Sequence, residues 1–241
     1  MLRLSIILFF AFILSGQHIL AQKKVQRASG VYPEHRYYPL NGEVFFKAYR
    51  QVKGNAYLTD DWITGTITLQ NGKELKNVKF KADVYKHYII VYNEYLKRVI
   101  SLPQADIKSF VYEEGGQRHE FRLIEANRNL KNLNNIFFLE VLKEGHISFY
   151  KLYYRDVTPL RTPEMPFIDE FVPNVNYFLV YQDDWVSVKL KRSSLTKRYP
   201  EYKSEIKQFF RKNKLRPRRE KDFAEAVDYL GQILELVNHA E

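Results

Sequence analysis

From 62 to 69 the chain alternates, with Ile63, Gly65, Ile67 and Leu69 on one side and Trp62, Thr64, Thr66 and Thr68 on the other. A repeat of two is the pattern of a strand with distinct faces. The same repeat resumes beyond Asn71-Gly72, where Val78, Phe80, Ala82 and Val84 oppose Asn77, Lys79, Lys81 and Asp83. Asn71 and Gly72 accept the positive φ angles of a two-residue turn, so the pattern predicts a hairpin. An apolar run at 88–92 reads as a buried strand, and 98–102, 107–112 and 118–124 are strand-length. Segments 136–142 and 147–153 flank Glu144-Gly145 as a second hairpin, and 177–181 and 185–190 flank Asp183-Asp184 as a third. The five Asn at 127–135 predict a loop. Residues 156–174 hold Pro159, Pro163, Pro166 and Pro173, which predicts a long proline-rich loop or an edge crossing. No helical crossover separates the strands, so they are expected to be antiparallel, in a sandwich or a partly closed barrel.

From Ser193 the period becomes helical. Ser193 or Ser194 suits an N-cap, and Pro200-Glu201 suits a first helical turn. Tyr202, Ile206, Phe209 and Phe210 make an apolar stripe, and Pro217 interrupts it. A second stripe starts near Glu220 with Phe223, Val227, Leu230, Leu234 and Val237. The expected fold is mainly β with two C-terminal α-helices. The expected divisions are a polar lead-in at 22–42, a β domain at 43–192 and a helical tail at 193–241.

Composition adds to this picture at the N-terminus. Arg3, an apolar run at 4–14, and Leu20-Ala21-Gln22 form the layout of a secretory signal cut after Ala21. The run is about half of the roughly 20 residues a membrane span needs. Export to the periplasm, outer envelope or exterior is therefore expected, with no transmembrane segment after cleavage. The chain has no Cys, so neither disulfides nor a lipid-modified Cys contribute. Its 18 Tyr and 17 Phe favour strands and an aromatic core.

Charge singles out the tail. The chain's net charge is +10, yet residues 186–221 hold 14 Lys and Arg against 3 Glu, and the rest is close to neutral. Such asymmetry fits either a solvated helix surface, since Lys and Arg are good helix formers, or a face for an anionic partner. Lys203, Lys207, Arg211, Lys214, Arg218 and Arg219 lie off the apolar stripe and are the candidate anion contacts. For an exported chain the expected partner is an anionic envelope surface or glycan. Nucleic acid is not expected, and no protein partner is indicated.

Tyr57-Leu58-Thr59-Asp60-Asp61-Trp62, then Gly65-Thr66, Asn71-Gly72 and Lys81-Ala82-Asp83-Val84-Tyr85, resemble a functionally uncharacterised group of secreted proteins common in Bacteroidota. The pattern is Y-L-x-D-x-W-x-x-G-x-(I/V) leading into a hairpin and a K-x-D-(V/I)-Y strand. Residues 207–215, Lys221-Asp222-Phe223 and Tyr229 are similar to the same group's helical tail. The resemblance implies export and this architecture. It implies no activity, cofactor or site residue.

Catalytic signatures are sparse. None of the six His sits in a metal-ligand spacing, and neither a cofactor nor a metal is expected. Ser194-Leu195-Thr196-Lys197 matches Ser-x-x-Lys without its companion motifs. Asp60-Asp61 and Asp183-Asp184 each precede a Trp. Paired carboxylates beside Trp suit glycan hydrolysis. Two such sets could also bind calcium, but a turn followed by a core anchor is the preferred reading, because neighbours in a strand point to opposite faces. A non-enzymatic binding protein is the leading reading. The alternatives are a β-barrel carrier of an apolar molecule and a glycan-acting hydrolase using the two Asp-Asp-Trp sets.

Overall fold

The structure, a computed structural model, describes residues 43–44, 49, 52–94, 97–125, 136–160 and 168–238. The expected signal at 1–21, the whole lead-in at 22–42, the Asn-rich loop and Pro163 and Pro166 lie outside them.

The fold is mainly β. Twelve strands form one large mixed sheet that does not close: β1 (Glu43–Val44), β2 (Val52–Lys53), β3 (Ile63–Leu69), β4 (Glu74–Asp83), β5 (Tyr88–Asn93), β6 (Arg98–Leu102), β7 (Ile107–Glu114), β8 (Gln117–Glu125), β9 (Ile136–Lys143), β10 (Ser148–Leu160), β11 (Ile168–Tyr181) and β12 (Asp184–Val188). Their order is β1-β6-β5-β4-β3-β7-β8-β9-β10-β11-β12. Every ladder along that path is antiparallel, while β2 lies parallel to β11. Among the described residues three α-helices follow: α1 (Arg192–Arg198), α2 (Lys203–Lys212) and α3 (Glu220–Asn238).

The Asn71-Gly72 hairpin forms, but its turn differs from the expected one. Leu69 N–H bonds to the Lys73 carbonyl and Gly72 N–H to the Leu69 carbonyl, which makes 70–72 a three-residue loop. Gly72 alone supplies a positive φ, at 82°. Asn71 instead accepts the Lys73 N–H through Oδ1 at 3.0 Å. Its side chain thus does the work of a backbone turn. In β3 the register shifts between Gly65 and Ile67. A Cβ on Gly65 would stand 2.1 Å from the Val111 carbonyl, so only Gly lets β3 and β7 meet there.

One face of the sheet is filled. Ile67, Val78, Phe80, Ala82, Ile89, Val91, Ile107, Phe110, Phe121 and Phe138 are buried in one cluster, on the face the alternation predicts for β3 and β4. Phe110 stacks on Phe121 at 4.6 Å, and Phe80 and Phe138 meet Phe110 edge-on, both at 5.3 Å. Each such ring contributes about 1.5–3 kcal/mol by leaving water.

The proline-rich segment is mostly strand, not the loop expected over 156–174. Strands β10 and β11 pair from Ser148↔Val180 out to Leu160↔Ile168, placing Pro159 opposite Asp169 and Pro173 opposite Arg155. The physical reason lies in the neighbouring ladders. Strand β9 pairs with β10 only as far as Leu152, and β12 pairs with β11 only from Tyr177 onward. Both prolines therefore sit in a two-stranded ribbon whose outer edges need fewer N–H donors. A strap then joins the ribbon to β4. Val52 and Lys53 pair with Asp169 and Glu170, Tyr57 bridges Asp83, and Leu58 N–H and Ala56 O bond to Ala82 and Val84.

The helices cover one face of β9–β12. Ile147, Phe149, Leu179 and Val188 pack with Leu195, Tyr199, Ile206, Phe210, Phe223, Val227, Leu230 and Leu234. Both predicted stripes thus face the sheet and each other, with the Val237 side chain outside the described residues. Phe209 stacks on Tyr229 at 4.0 Å. The N-cap of α1 is Lys191, in extended conformation, and no side chain caps it. Ser193 and Ser194 lie within its first turn, and Ser194 Oγ donates instead to the Lys189 carbonyl at 2.8 Å.

Candidate functional site

A groove of about 650 Å³ runs along the outer side of α2, lined by Arg192, Ser204, Lys207, Gln208, Phe210, Arg211, Leu215 and Pro217. Its geometry follows from helix period. Ser204, Lys207, Gln208 and Arg211 are spaced i, i+3, i+4 and i+7, which puts all four on one stripe of α2. The apolar stripe beside it seats Ile206 and Phe210 in the core and thereby fixes which way the polar stripe points. Arg192 enters from the first turn of α1. Leu215 and Pro217 close the far end, where α2 has stopped at Asn213 and Lys214 turns with φ 53°.

The groove's charge is unopposed. Among the described residues no carboxylate lines it, and none of Arg192, Lys207 and Arg211 makes an ion pair. All six sequence-derived candidates are exposed, as their positions off the stripe require. The groove brings together only Lys207 and Arg211 of them; Lys203, Lys214, Arg218 and Arg219 lie outside its lining. Arg192, Ser204 and Gln208 were not among the candidates. The i, i+3, i+4, i+7 spacing exposes the two α2 residues in the sequence, whereas Arg192 arrives through tertiary packing alone.

A second polar group crosses the sheet and meets α3. Glu140, 5% exposed, accepts from His119 Nδ1 at 2.6 Å and from Tyr153 Oη at 2.8 Å. The Tyr112 ring stacks on His119 at 5.0 Å. Burial first, and then the Glu140 carboxylate, push the phenols of Tyr112 and Tyr153 above their ordinary value. One residue pair along β10, Lys151 Nζ contacts Glu220 Oε1 at 2.6 Å, and Tyr177 Oη donates to the same oxygen at 2.6 Å. Both Glu140 oxygens and Glu220 Oε1 thus have partners that tie strand to strand or strand to helix. The partner of His119 is 21 positions away across the β8–β9 ladder, which no local pattern reveals.

Asp83 and His87 organise the β4–β5 turn. Asp83 is fully buried and accepts from the N–H groups of Tyr85 and Lys86 at 2.9 and 2.7 Å and from Tyr49 Oη at 2.8 Å. Burial raises its pKa despite those bonds. His87, with φ 54°, packs edge-on against Phe137, and burial pushes its pKa down to about 4.

The two Asp-Asp-Trp sets do not converge. Asp60 accepts from Asn55 Nδ2 at 2.5 Å and its carbonyl from Lys81, whose ammonium lies over the Tyr57 and Trp62 rings at 5.0 and 5.8 Å. Asp60 lies within the electrostatic reach of Arg155, which stands opposite Pro173 on the ribbon. Asp184 pairs with Tyr181 and with Arg198 at the other end of β11, roughly 25 Å away at 3.3 Å per residue. Trp185 stacks on Tyr150 at 5.5 Å and is a packing residue. Among the described residues no group of three or more His, Asp or Glu is placed to hold a metal ion.

No protein-family model, curated protein or solved structure matches the chain.

Proposed function

We propose that the chain is an exported, non-enzymatic binding protein that docks on an anionic component of the cell envelope through its helical tail. The observation that carries this reading is the cationic groove on α2, whose three charges have no carboxylate partner among the described residues. The secretory pattern at 1–22 and the resemblance to secreted proteins support the compartment. A filled β-core favours a scaffold for the tail over a carrier, since Phe80, Phe110, Phe121 and Phe138 occupy the space an apolar ligand needs. The separation of the two Asp-Asp-Trp sets weighs against a hydrolase cleft. No helix among the described residues is long and apolar enough to cross a membrane, so the tail is read as a surface contact.

Cosedimentation with anionic and neutral liposomes tests this. The parent chain should pellet with anionic liposomes and release as the Debye length falls from about 10 Å at 0.1 M salt to 3 Å at 1 M. A variant with Glu at Lys203, Lys207, Arg211, Lys214, Arg218 and Arg219 should stay in solution. Equal pelleting of parent and variant, or binding indifferent to salt, overturns the reading. Export is tested separately, by mass spectrometry of the native protein, which should begin at Gln22.

A further inference from the structure

We propose that the α1–α2 groove is a discrete site for a phosphate group carried as a monoester, held by Arg192, Lys207 and Arg211 with Ser204 and Gln208 as neutral partners. The proposal rests on the anion-binding reading and makes it specific. Diffuse adsorption would use all the exposed cations of the tail alike. The groove instead sets apart three of them, from two helices, around one concavity.

Charge selects the ligand class. Three like charges sharing a groove without a carboxylate repel one another, and an anion that offsets most of that repulsion binds best. A phosphomonoester carries about −1.5 to −2 at pH 7 and three acceptor oxygens. A carboxylate, a sulfate ester or a phosphodiester brings a single charge. The donor set agrees with this choice. Two guanidinium forks match phosphate oxygens in pairs, and a lysine adds a point charge. Ser204 and Gln208 add a hydroxyl and an amide.

Size and lining select the rest of the ligand. The groove, about 650 Å³, lies within the usual range of roughly 300–1,000 Å³ for small-molecule sites. That is more space than a phosphate alone fills. Phe210, Leu215 and Pro217 give the remainder an apolar wall. The carrier of the phosphate is therefore a body with an apolar face, which a sugar ring or a glycerol backbone supplies. The first is soluble and the second belongs to a lipid head. The shared chemistry is the monoester.

The test uses the full chain and titration calorimetry with glucose 1-phosphate, inorganic phosphate and glucose 6-sulfate. Vesicles of phosphatidylcholine doped with phosphatidic acid or, at matched surface charge, with phosphatidylglycerol form the lipid arm. A monoester should bind saturably at one site, as glucose 1-phosphate, as phosphatidic acid, or as both, and the responding arm names the source. Arg192→Gln with Arg211→Gln should weaken it by about tenfold or more, the equivalent of one lost charge-assisted bond. Arg192→Lys with Arg211→Lys keeps the charge and should still lose most of the monoester binding. Lys189→Gln, Lys197→Gln and Lys221→Gln together remove more charge outside the groove and should leave monoester binding within about twofold. All three sets of changes are on exposed side chains, and unchanged melting temperatures confirm that the fold is intact. Glucose 6-sulfate binding as tightly as glucose 1-phosphate, or equal losses in the groove and control variants, overturns the site. If phosphatidylglycerol vesicles still bind while both monoesters fail, the groove proposal falls and the anionic-surface reading stands. If no anion binds, both fall.

Discussion

Arg155 donates from its guanidinium to the Tyr57 carbonyl at 2.7 Å, tying the long ribbon to the strap beside β4. The same side chain donates through Nε to the Asn55 carbonyl at 3.0 Å. The strap has few ladder bonds of its own, so this one residue fastens it. Removing Arg155 leaves two carbonyls without their donor, and a charge-assisted bond contributes about 1.5–3 kcal/mol. Arg155→Ala should therefore lower stability by about 2 kcal/mol, read as a shift in the urea midpoint at unchanged slope. Arg155→Lys should recover little of it, because an ammonium lacks the fork that spans two carbonyls. A midpoint equal to the parent's would mean that the β2–β11 ladder holds the strap alone.

His87 predicts a pH dependence of known sign. Its folded pKa, about 4, lies below the ordinary 6.5, so the unfolded chain takes up a proton first as pH falls. Stability is fully present above pH 6.5 and is lost progressively as pH drops from 6.5 towards 4, by ~3 kcal/mol at most. Asp83 acts in the opposite direction. Its raised pKa contributes stability that is present at low pH and lost as pH rises past the carboxylate range. The comparison of parent and His87→Asn isolates the histidine, since Asn tolerates the positive φ at this position. The parent's extra loss between pH 7 and 4 should vanish in the variant. Parallel stability curves would refute the assignment.

Two glycines in one hairpin should fail for different reasons. Gly72 has open space around it and a φ of 82°, so Gly72→Val costs only conformational strain, about 1–2 kcal/mol. Gly65→Ala drives a methyl group into the Val111 carbonyl and must part β3 from β7. That loss should exceed ~3 kcal/mol, in the range reserved for core disruption. Gly72→Asn should be nearly neutral. Thermal melts of the three variants rank them, and a Gly65→Ala protein as stable as the parent would place the bulge elsewhere.

How much of this was legible in the sequence depends on the range of the signal. Val78, Phe80 and Ala82 alternate with polar residues, and that local pattern named the buried face of β4 correctly. Pro159 and Pro173 misled, because a proline shows that one N–H is missing but not whether a neighbouring strand needed it. Only the short reach of β9 and β12 makes those positions tolerant. The turn at Asn71-Gly72 was located but its length was not, since Asn can serve a turn through φ or through its side chain. In the groove, Lys207 and Arg211 were visible as off-stripe cations, and Ser204 and Gln208 share their spacing. Arg192 was not, because its place beside α2 depends on how α1 packs through Leu195 and Tyr199. His119 and Glu140 meet through strand register across 126–135, which the composition of neither strand encodes.

Lys151 and Glu220 fasten α3 to the sheet, and their coupling is measurable. The Lys151 side chain is only 12% exposed, stands 2.6 Å from Glu220 Oε1 and lies over the Tyr153 ring at 4.5 Å. Glu220, 36% exposed and the first residue of α3, also holds the Tyr177 hydroxyl. Removing one partner of a buried pair strands the other charge, which costs more than the pair contributes. Glu220→Ala should thus destabilise by about 2 kcal/mol, less than the 3–5 typical of a fully buried pair because the carboxylate keeps some water. Lys151→Met should cost less, since a flexible apolar chain fills the same space and leaves Glu220 partly hydrated. The double variant should be more stable than Glu220→Ala alone, because no buried ammonium remains unpaired. A double-mutant cycle from thermal melts gives the coupling directly. Strictly additive losses would mean that Lys151 finds another acceptor when Glu220 is gone, and that α3 is held by Phe223, Val227 and Leu230 without electrostatic help.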